Sequence, residues 1–443
     1  MIEKIFKLKQ HKTNVKIEVI AGITTFMTMA YILAVNPDIL SNAGMNIGAV
    51  FTATAIAAAV GTLIMAFLAN LPIGLAPGMG LNAFFAFTVV IAMGNSWQFA
   101  LTAVFLEGII FIVLTAFKLR NAIVDSIPHS MKNAISCGIG LFIAFIGLVN
   151  AGIIKTGMSI AADGKTLSGL PLALGSINSP EAIVALIGIA IGGILLCRKV
   201  KGAILLSILI ATVVGIPFGV THIQNFNNFF SLPPSIKPIF FQFQFNHIFS
   251  TQMLITIITL LFMDLFDTIG TLIGVATKAG LIDKNGNMPK MKEALFADAI
   301  GTTFGAILGT STVTAYVESA SGVAEGGKTG LTAFVVAILF LAALFISPVF
   351  LLIPSAATAP ALILVGLFML SPILEVDFND YSESLPCFLT IIMMPFTYSI
   401  ADGILFGIIS YVIIKLFSGK IKHLNWFIVI LAILFLLKLF FLQ

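Results

Sequence analysis

The chain has 443 residues, a formal net charge of +4 and a mean hydropathy of +1.11; 59% of its residues are hydrophobic and 9% charged. A soluble domain carries about 25% charged residues, so composition excludes a water-soluble globular protein, and hydrophobicity that continues through the whole chain excludes a lone signal peptide ahead of a soluble body. The small positive charge does not point to nucleic acid, because the lysines cluster at the ends of apolar runs.

Apolar runs of roughly 17–25 residues have the length a helix needs to cross a bilayer. In chain order the pattern predicts spans over 17–36, 49–69, 79–94, 97–117, 131–150, 181–196, 202–219, 250–276, 294–308, 314–324, 330–351, 357–371, 384–399 and 401–417, fourteen in all. A further run, WFIVILAILFLLKLFF from Trp426, makes either a fifteenth span or a helix lying against the protein or the interface; at 16 residues it is short for spanning. The cations of Lys4–Lys16, of Lys118, Arg120 and Lys132, of Arg198–Lys201, of Lys278–Lys292 and of Lys420 and Lys422 fall on one side if every span crosses. That side is then cytoplasmic, with the N-terminus, and loops 151–180 and 220–248 are external. Residues 375–383 carry four acids and are also assigned inside.

The two halves of the chain resemble each other. AVGTLIMAFLANLPIGL from Ala59 aligns without gaps on AIGTTFGAILGTSTVTA from Ala299. Met27 falls on Met263 in a second match, and in a third Pro128, Gly140, Leu141 and Phe142 repeat as Pro354, Gly366, Leu367 and Phe368. Seven spans per half is an odd number, so the halves have opposite orientation. Inverted repeats mark secondary transporters, in which substrate binds near the midplane between discontinuous helices. Two stretches suit that description. In LPIGLAPGMGLNAFF, Pro72, Pro77, Gly74, Gly78 and Gly80 forbid a regular helix. In GTSTVTAYVESASGVAEGGKTG, residues 310–317 are β-branched and hydroxylated, which suits a short strand before a half-helix. Irregular backbone at membrane depth is tolerated where protein buries it or it lines a cavity. Two such strands could pair with each other.

Intramembrane acids are candidate functional groups by default. Asp264 and Asp267, three residues apart in LLFMDLFDTIGTLIGV, share a helix face with Thr268 and Thr271 on or near it. Glu318 lies at the strand-to-helix junction, where a carboxylate suits the helix dipole and can also act as a plain cap. Asn82 is the polar counterpart in the first half, offering donor and acceptor. Tyr316 can stack on an aromatic ligand; Phe84 and Phe85 read better as core. Converging acids suit a proton-coupled site, and a carboxylate can accept two parallel N–H bonds from a planar heterocycle. Glu107, Asp298, Glu325 and Asp402 are weaker candidates. The five histidines lie outside or at the ends of spans, so no histidine relay or metal site is expected, and Cys137, Cys197 and Cys387 show neither metal spacing nor a disulfide framework.

AGITTFMTMAYILAVNP, APGMGLNAFFAF, FMDLFDTIGTLIGV and GTSTVTAYVESASGVAEGGKTGLTA closely resemble the AzgA-like purine permeases of the nucleobase:cation symporter-2 family, over essentially the whole chain. The resemblance implies an all-α polytopic fold of fourteen segments in two inverted repeats of seven, with short strands in segments 3 and 10. It implies a core domain (17–117 and 250–351), a gate domain (128–219 and 354–417), and an elevator cycle; residues 425–443 form an appended hydrophobic helix. It implies a multi-pass protein of the plasma membrane, a homodimer, with proton as coupling ion, no cofactor and no nucleic-acid partner. By motif it makes Asp267 and Glu318 the substrate-binding acids and Tyr316 the accompanying aromatic. Asp264 and Asn82 fall on polar positions that purine-transporting members need. Thr271 stands where uracil- and xanthine-type relatives carry a second ionisable residue, so proton coupling is expected of Asp264, Asp267 and Glu318 together. The expected function is proton-driven uptake of adenine, guanine or hypoxanthine. The alternative is an anion transporter of the same fold, carrying sulfate or bicarbonate, which three carboxylates disfavour. A channel would need a continuous polar stripe along its spans, and an enzyme a nucleophile–base pair or a metal set; neither appears.

Overall fold

A computed structural model of the chain describes residues 2–117, 128–155, 159–160, 167–168, 172–223, 228–281, 288, 290–421 and 424–441. Among these residues, nine helical stretches are long and apolar enough to cross a bilayer: Val15–Ser41, Ile47–Ala69, Trp97–Ala116, His129–Asn150, Pro180–Cys197, Thr251–Ala276, Gly330–Leu351, Ser355–Glu375 and Ile400–Phe417. The protein is therefore a mostly helical, multi-pass membrane protein. The other five expected spans differ for local reasons. Ala203–Val214 has 12 residues, about 18 Å at 1.5 Å per residue, against a hydrocarbon core of about 30 Å. Met79–Ala92 is also short, Tyr381–Phe396 has 16 residues, and Met291–Leu308 carries Lys292, Glu293 and Asp298. The stretch 314–324 is not one helix: a strand occupies its start and a six-residue helix its end.

In chain order the helices are α1 (Ile2–Phe6), α2 (Val15–Met29), α3 (Ile32–Ser41), α4 (Ile47–Ile64), α5 (Met79–Ala83), α6 (Trp97–Ala116), α7 (His129–Asn150), α8 (Pro180–Cys197), α9 (Ala203–Val214), α10 (Thr251–Lys278), α11 (Met291–Leu308), α12 (Ser319–Ala324), α13 (Gly330–Ala343), α14 (Ser347–Leu351), α15 (Ser355–Phe368), α16 (Tyr381–Phe396), α17 (Ile400–Phe417) and α18 (Trp426–Phe441). Asn14, Asn46, Ser96, Ser179 and Ser399 each start a helix with a side chain that accepts the N–H three residues on, worth about 1 kcal/mol apiece. α4 and α5 each run on into wider π-type turns, over Met65–Ala69 and Phe84–Ala92. In α18, Ile428, Leu431, Ala432 and Phe435 are buried; this i, i+3, i+4, i+7 stripe is the face that packs on α17.

Among the described residues, six short strands complete the fold. β2 (Ile154–Lys155) pairs with β5 (Ala173–Leu174), and β3 (Ser159–Ile160) with β4 (Leu167–Ser168). The other pair lies in the core: β1 (Leu75–Pro77) runs antiparallel to β6 (Val313–Ala315), with Leu75 opposite Ala315, Ala76 opposite Thr314 and Pro77 opposite Val313. Two threonines satisfy the outward backbone edges. Thr62 of α4 bonds both the N–H and the C=O of Leu75, and Thr302 of α11 does the same for Val313. Thr62 and Thr302 are equivalent in the sequence alignment of the halves, as are Gly61 and Gly301, which pack against each other; a Cβ on Gly301 would sit 3.4 Å from the Gly61 Cα. The aligned glycines Gly140 and Gly366 also meet. A Cβ on Gly140 would come within 2.7 Å of the Gly366 carbonyl oxygen, so α7 and α15 approach closely only because both positions lack side chains.

Candidate functional site

The broken helices and α10 together build a polar centre inside the apolar body. β6 and the residues before it present hydroxyls that each find a buried partner. Thr310 accepts from the Asn36 amide at 2.9 Å, Ser311 donates to Asn82, Thr312 donates to Glu107 at 2.8 Å, and Thr314 lies 2.8 Å from Thr268. Such a segment is not an ordinary lipid-facing helix: its hydroxyls bond across to other elements, and its non-helical backbone needs burial in protein.

Asp264 is buried on α10 and accepts from Thr268 at 3.1 Å. Thr268 also lies 2.9 Å from Asp298 of α11. With one hydrogen to donate and two lone pairs, the Thr268 hydroxyl links both carboxyls and Thr314 into one network. Asp267, one turn on from Asp264, is half-buried beside Thr314 and within electrostatic range of Asp264 and Glu318. Glu318 stands at the start of α12, but its side chain does not cap that helix; the Tyr31 hydroxyl donates to it at 2.6 Å instead. Tyr31 sits at the break between α2 and α3, which turns its ring toward the junction. Tyr316 donates to the Pro77 carbonyl at 2.6 Å, and its ring centroid lies 6.5 Å from that of Tyr31. Asn82, on α5, is fully buried; its oxygen takes the Ser311 proton and its NH2 has no partner among the described residues. A buried amide donor left open is the sort of group a ligand satisfies.

The structure thus brings Asp264, Asp267, Glu318 and Tyr316 together and sets Asn82 on the other broken helix, joined to them through the strand pair. Phe84 and Phe85 are buried in the hydrophobic core. Sequence reasoning passed over Tyr31, although it lies inside a quoted motif, and counted among its weaker candidates Asp298, which the Thr268 hydroxyl joins to Asp264. It named no partner for Glu107, which is Thr312. It also missed two buried acids that hold elements in place. Glu18 accepts the backbone N–H groups of Lys328, Thr329 and Thr332 and the Thr332 hydroxyl, which closes the turn after α12. Asp38 accepts from Ser355 at 2.5 Å and Thr358 at 2.6 Å, tying α3 to α15. Glu325 pairs with Lys201 at 2.6 Å. Among the described residues no cluster of three or more His, Cys, Asp or Glu could hold a metal ion.

Long apolar helices around a buried centre of broken helices and short strands are the architecture of a membrane transport protein. Known proteins agree. Residues 16–406 match the Permease family. A putative permease of Methanocaldococcus jannaschii is 46% identical over 100% of this chain and 99% of its own. The adenine permease AdeP of Escherichia coli is 44% identical over 100% and 97%, and the guanine/hypoxanthine permease PbuO of Bacillus subtilis 43% identical over 98% and 100%. In fold the chain resembles the transmembrane domain of the cyanobacterial bicarbonate transporter BicA, with a TM-score of 0.64, 17% identity and coverage of 88% and 97%. The chain belongs to the Permease family, in its AzgA-like branch, and is a transporter rather than an enzyme.

Proposed function

We propose that the protein imports purine nucleobases (adenine, guanine or hypoxanthine) across the plasma membrane by proton symport. One observation carries the reading: Asp264, Asp267 and Glu318 converge at the junction of the paired strands and the short helix α12, beside two tyrosine rings. Neutral purines present N–H donors and ring-nitrogen acceptors. Glu318 and Asp267 receive the donors, the open Asn82 NH2 meets an acceptor, and Tyr316 and Tyr31 flank the ring. Asp264, Asp267 and Glu318 share the coupled proton. The names of the relatives AdeP and PbuO favour a purine.

In this reading fourteen segments form two inverted repeats, with β1 in the third and β6 in the tenth. The core domain (17–117 and 250–351) moves as an elevator against the gate domain (128–219 and 354–417), in a homodimer with a cytoplasmic N-terminus. The pairing of repeat-equivalent residues, Gly61 with Gly301 and Gly140 with Gly366, supports the repeat. The anion-transporter alternative has the likeness to a bicarbonate carrier on its side, but that likeness concerns fold alone, and three carboxyls around the junction repel an anion.

Radiolabelled purine uptake by cells tests the proposal. Accumulation that a protonophore abolishes is expected; no accumulation, or accumulation indifferent to the protonophore, sinks it. Asp267→Asn and Glu318→Gln are expected to reduce purine binding by well over tenfold, since each removes a charge-assisted hydrogen bond worth about 1.5–3 kcal/mol. Wild-type affinity in isothermal titration of both variants would remove these residues from the site. Asp264→Asn is expected to keep binding and lose the pH dependence of uptake.

A further inference from the structure

A cleft of about 560 Å3 opens where the wide helix Phe84–Ala92, the first turns of α10 and the start of α17 meet. In the orientation above, all three ends are external. The cleft is separate from the acid cluster. Thr256, which lines it, precedes Asp264 by eight residues on α10, about 12 Å at 1.5 Å per residue. Its size lies within the roughly 300–1,000 Å3 of small-molecule sites.

Thr88 sets this cleft apart. Several helical threonines bond the carbonyl four residues back, as Thr102, Thr115, Thr256 and Thr259 do. Thr88 lies in the π-type stretch, where the backbone is wider, and its hydroxyl has no partner among the described residues although it is only 1% exposed. π-type turns recur at functional sites, and a buried hydroxyl without a partner destabilises the fold unless a ligand or water satisfies it. This one lines the cleft. Around it stand the Gln252 amide, the Ser399 hydroxyl and the Asp402 carboxyl, with the apolar Phe84 and Ile255. The set suits an uncharged ligand with a flat apolar body and hydrogen-bonding edges. The Asp402 carboxyl makes it a poor place for an anion.

We infer that this cleft is an outer binding site for a neutral planar heterocycle of the same class as the transported substrate, with the Thr88 hydroxyl as its hydrogen-bond contact, occupied before the substrate reaches the acid cluster. The inference rests on the purine-uptake reading above. Two variants of Thr88 test it in cells. Thr88→Val keeps the shape and removes the hydroxyl; it is expected to raise the KM for adenine or guanine uptake roughly 2- to 10-fold, the value of one neutral hydrogen bond, with Vmax unchanged. Thr88→Ser is expected to restore the wild-type KM. A second arm uses purified protein. Asp267→Asn, impaired at the acid cluster, is expected to retain weak adenine binding in isothermal titration, and the double variant Asp267→Asn, Thr88→Val to lose it. An unchanged KM in Thr88→Val, while the wild-type accumulates purines, overturns the outer site and leaves the uptake reading standing. So does equal binding by the single and double variants. A wild-type protein that accumulates no purine overturns both.

Discussion

Glu318 is held by a tyrosine hydroxyl 287 residues away in sequence, that of Tyr31. Hydrogen bonds to charged groups are worth about 1.5–3 kcal/mol, so Tyr31→Phe is expected to lower thermal stability and, by releasing Glu318 from its orientation, to weaken purine affinity, read by isothermal titration. Unchanged affinity would show that Tyr31 only packs. The acids themselves were legible in the chain, because a carboxyl inside an apolar run stands out against its neighbours. Tyr31 was not: a tyrosine in a hydrophobic helix is ordinary, and nothing local reports a partner on a distant half-helix. Glu318 illustrates the converse. Its position suggested a helix cap, yet the tyrosine takes its side chain and leaves α12 without a side-chain cap. Asp380 shows how a charge outside the spans differs. The Lys420 ammonium that donates to it, with Ser382, holds its carboxyl well below the usual carboxylate range. A depressed carboxylate loses its contribution only as pH falls through its folded pKa. Asp380 therefore stays ionised between pH 5 and 8, and Asp380→Asn is expected to leave the pH profile of uptake unchanged across that window.

At the scale of elements, the strand pair depends on two threonines as much as on itself. Three residues per strand make too few ladder bonds to stand alone. Thr62 and Thr302 satisfy the outward N–H and C=O groups that a two-stranded ribbon leaves open. Thr302→Val removes two hydrogen bonds and strands buried backbone groups, at a cost of about 1–3 kcal/mol for each group left unpaired. A clearly lower melting temperature of the purified protein is expected, with a smaller penalty from Thr303→Val, whose hydroxyl only bonds its own helix. Equal melting temperatures would refute the bracing role. The strands themselves could be read from composition: proline and glycine break the first, and β-branched hydroxyl residues favour the second. Their pairing was suggested by the repeat. The bracing by Thr62 and Thr302 was hidden, because threonine is common in helices and only the fold shows which ones turn toward a strand.

Over the whole molecule, the two halves touch through equivalent residues, and among the described residues two polar side-chain links join the proposed core and gate. Asp38 reaches Ser355 and Thr358 at one end, and Lys201 pairs with Glu325 at the other. The Lys201 and Glu325 side chains are 51% and 29% exposed, which limits the pair to about 1 kcal/mol at most. Lys201→Ala is expected to change the rate of purine uptake by no more than about fivefold and to leave equilibrium binding in detergent unchanged. A lost binding affinity would place the pair in the site rather than in the proposed movement. Gly366→Leu, in contrast, forces a side chain into the α7 backbone at Gly140 and is expected to abolish folded protein in the membrane, seen as loss of a monodisperse peak in size-exclusion chromatography.

The chain alone determined the membrane class, the run of apolar helices, the two places where they break and the three acids that lie near the strand pair. All of these follow from local free energies: apolar length against bilayer thickness, the backbone limits of proline and glycine, and the cost of an isolated charge in hydrocarbon. Tertiary structure decided what those groups touch. It placed Tyr31 on Glu318, joined Asp264 to Asp298 through one hydroxyl, closed the turn after α12 on Glu18, and left the Thr88 hydroxyl and the Asn82 NH2 without partners among the described residues. Hydrogen bonds between residues hundreds of positions apart leave no periodic trace in a sequence, because they are set by where the helices cross.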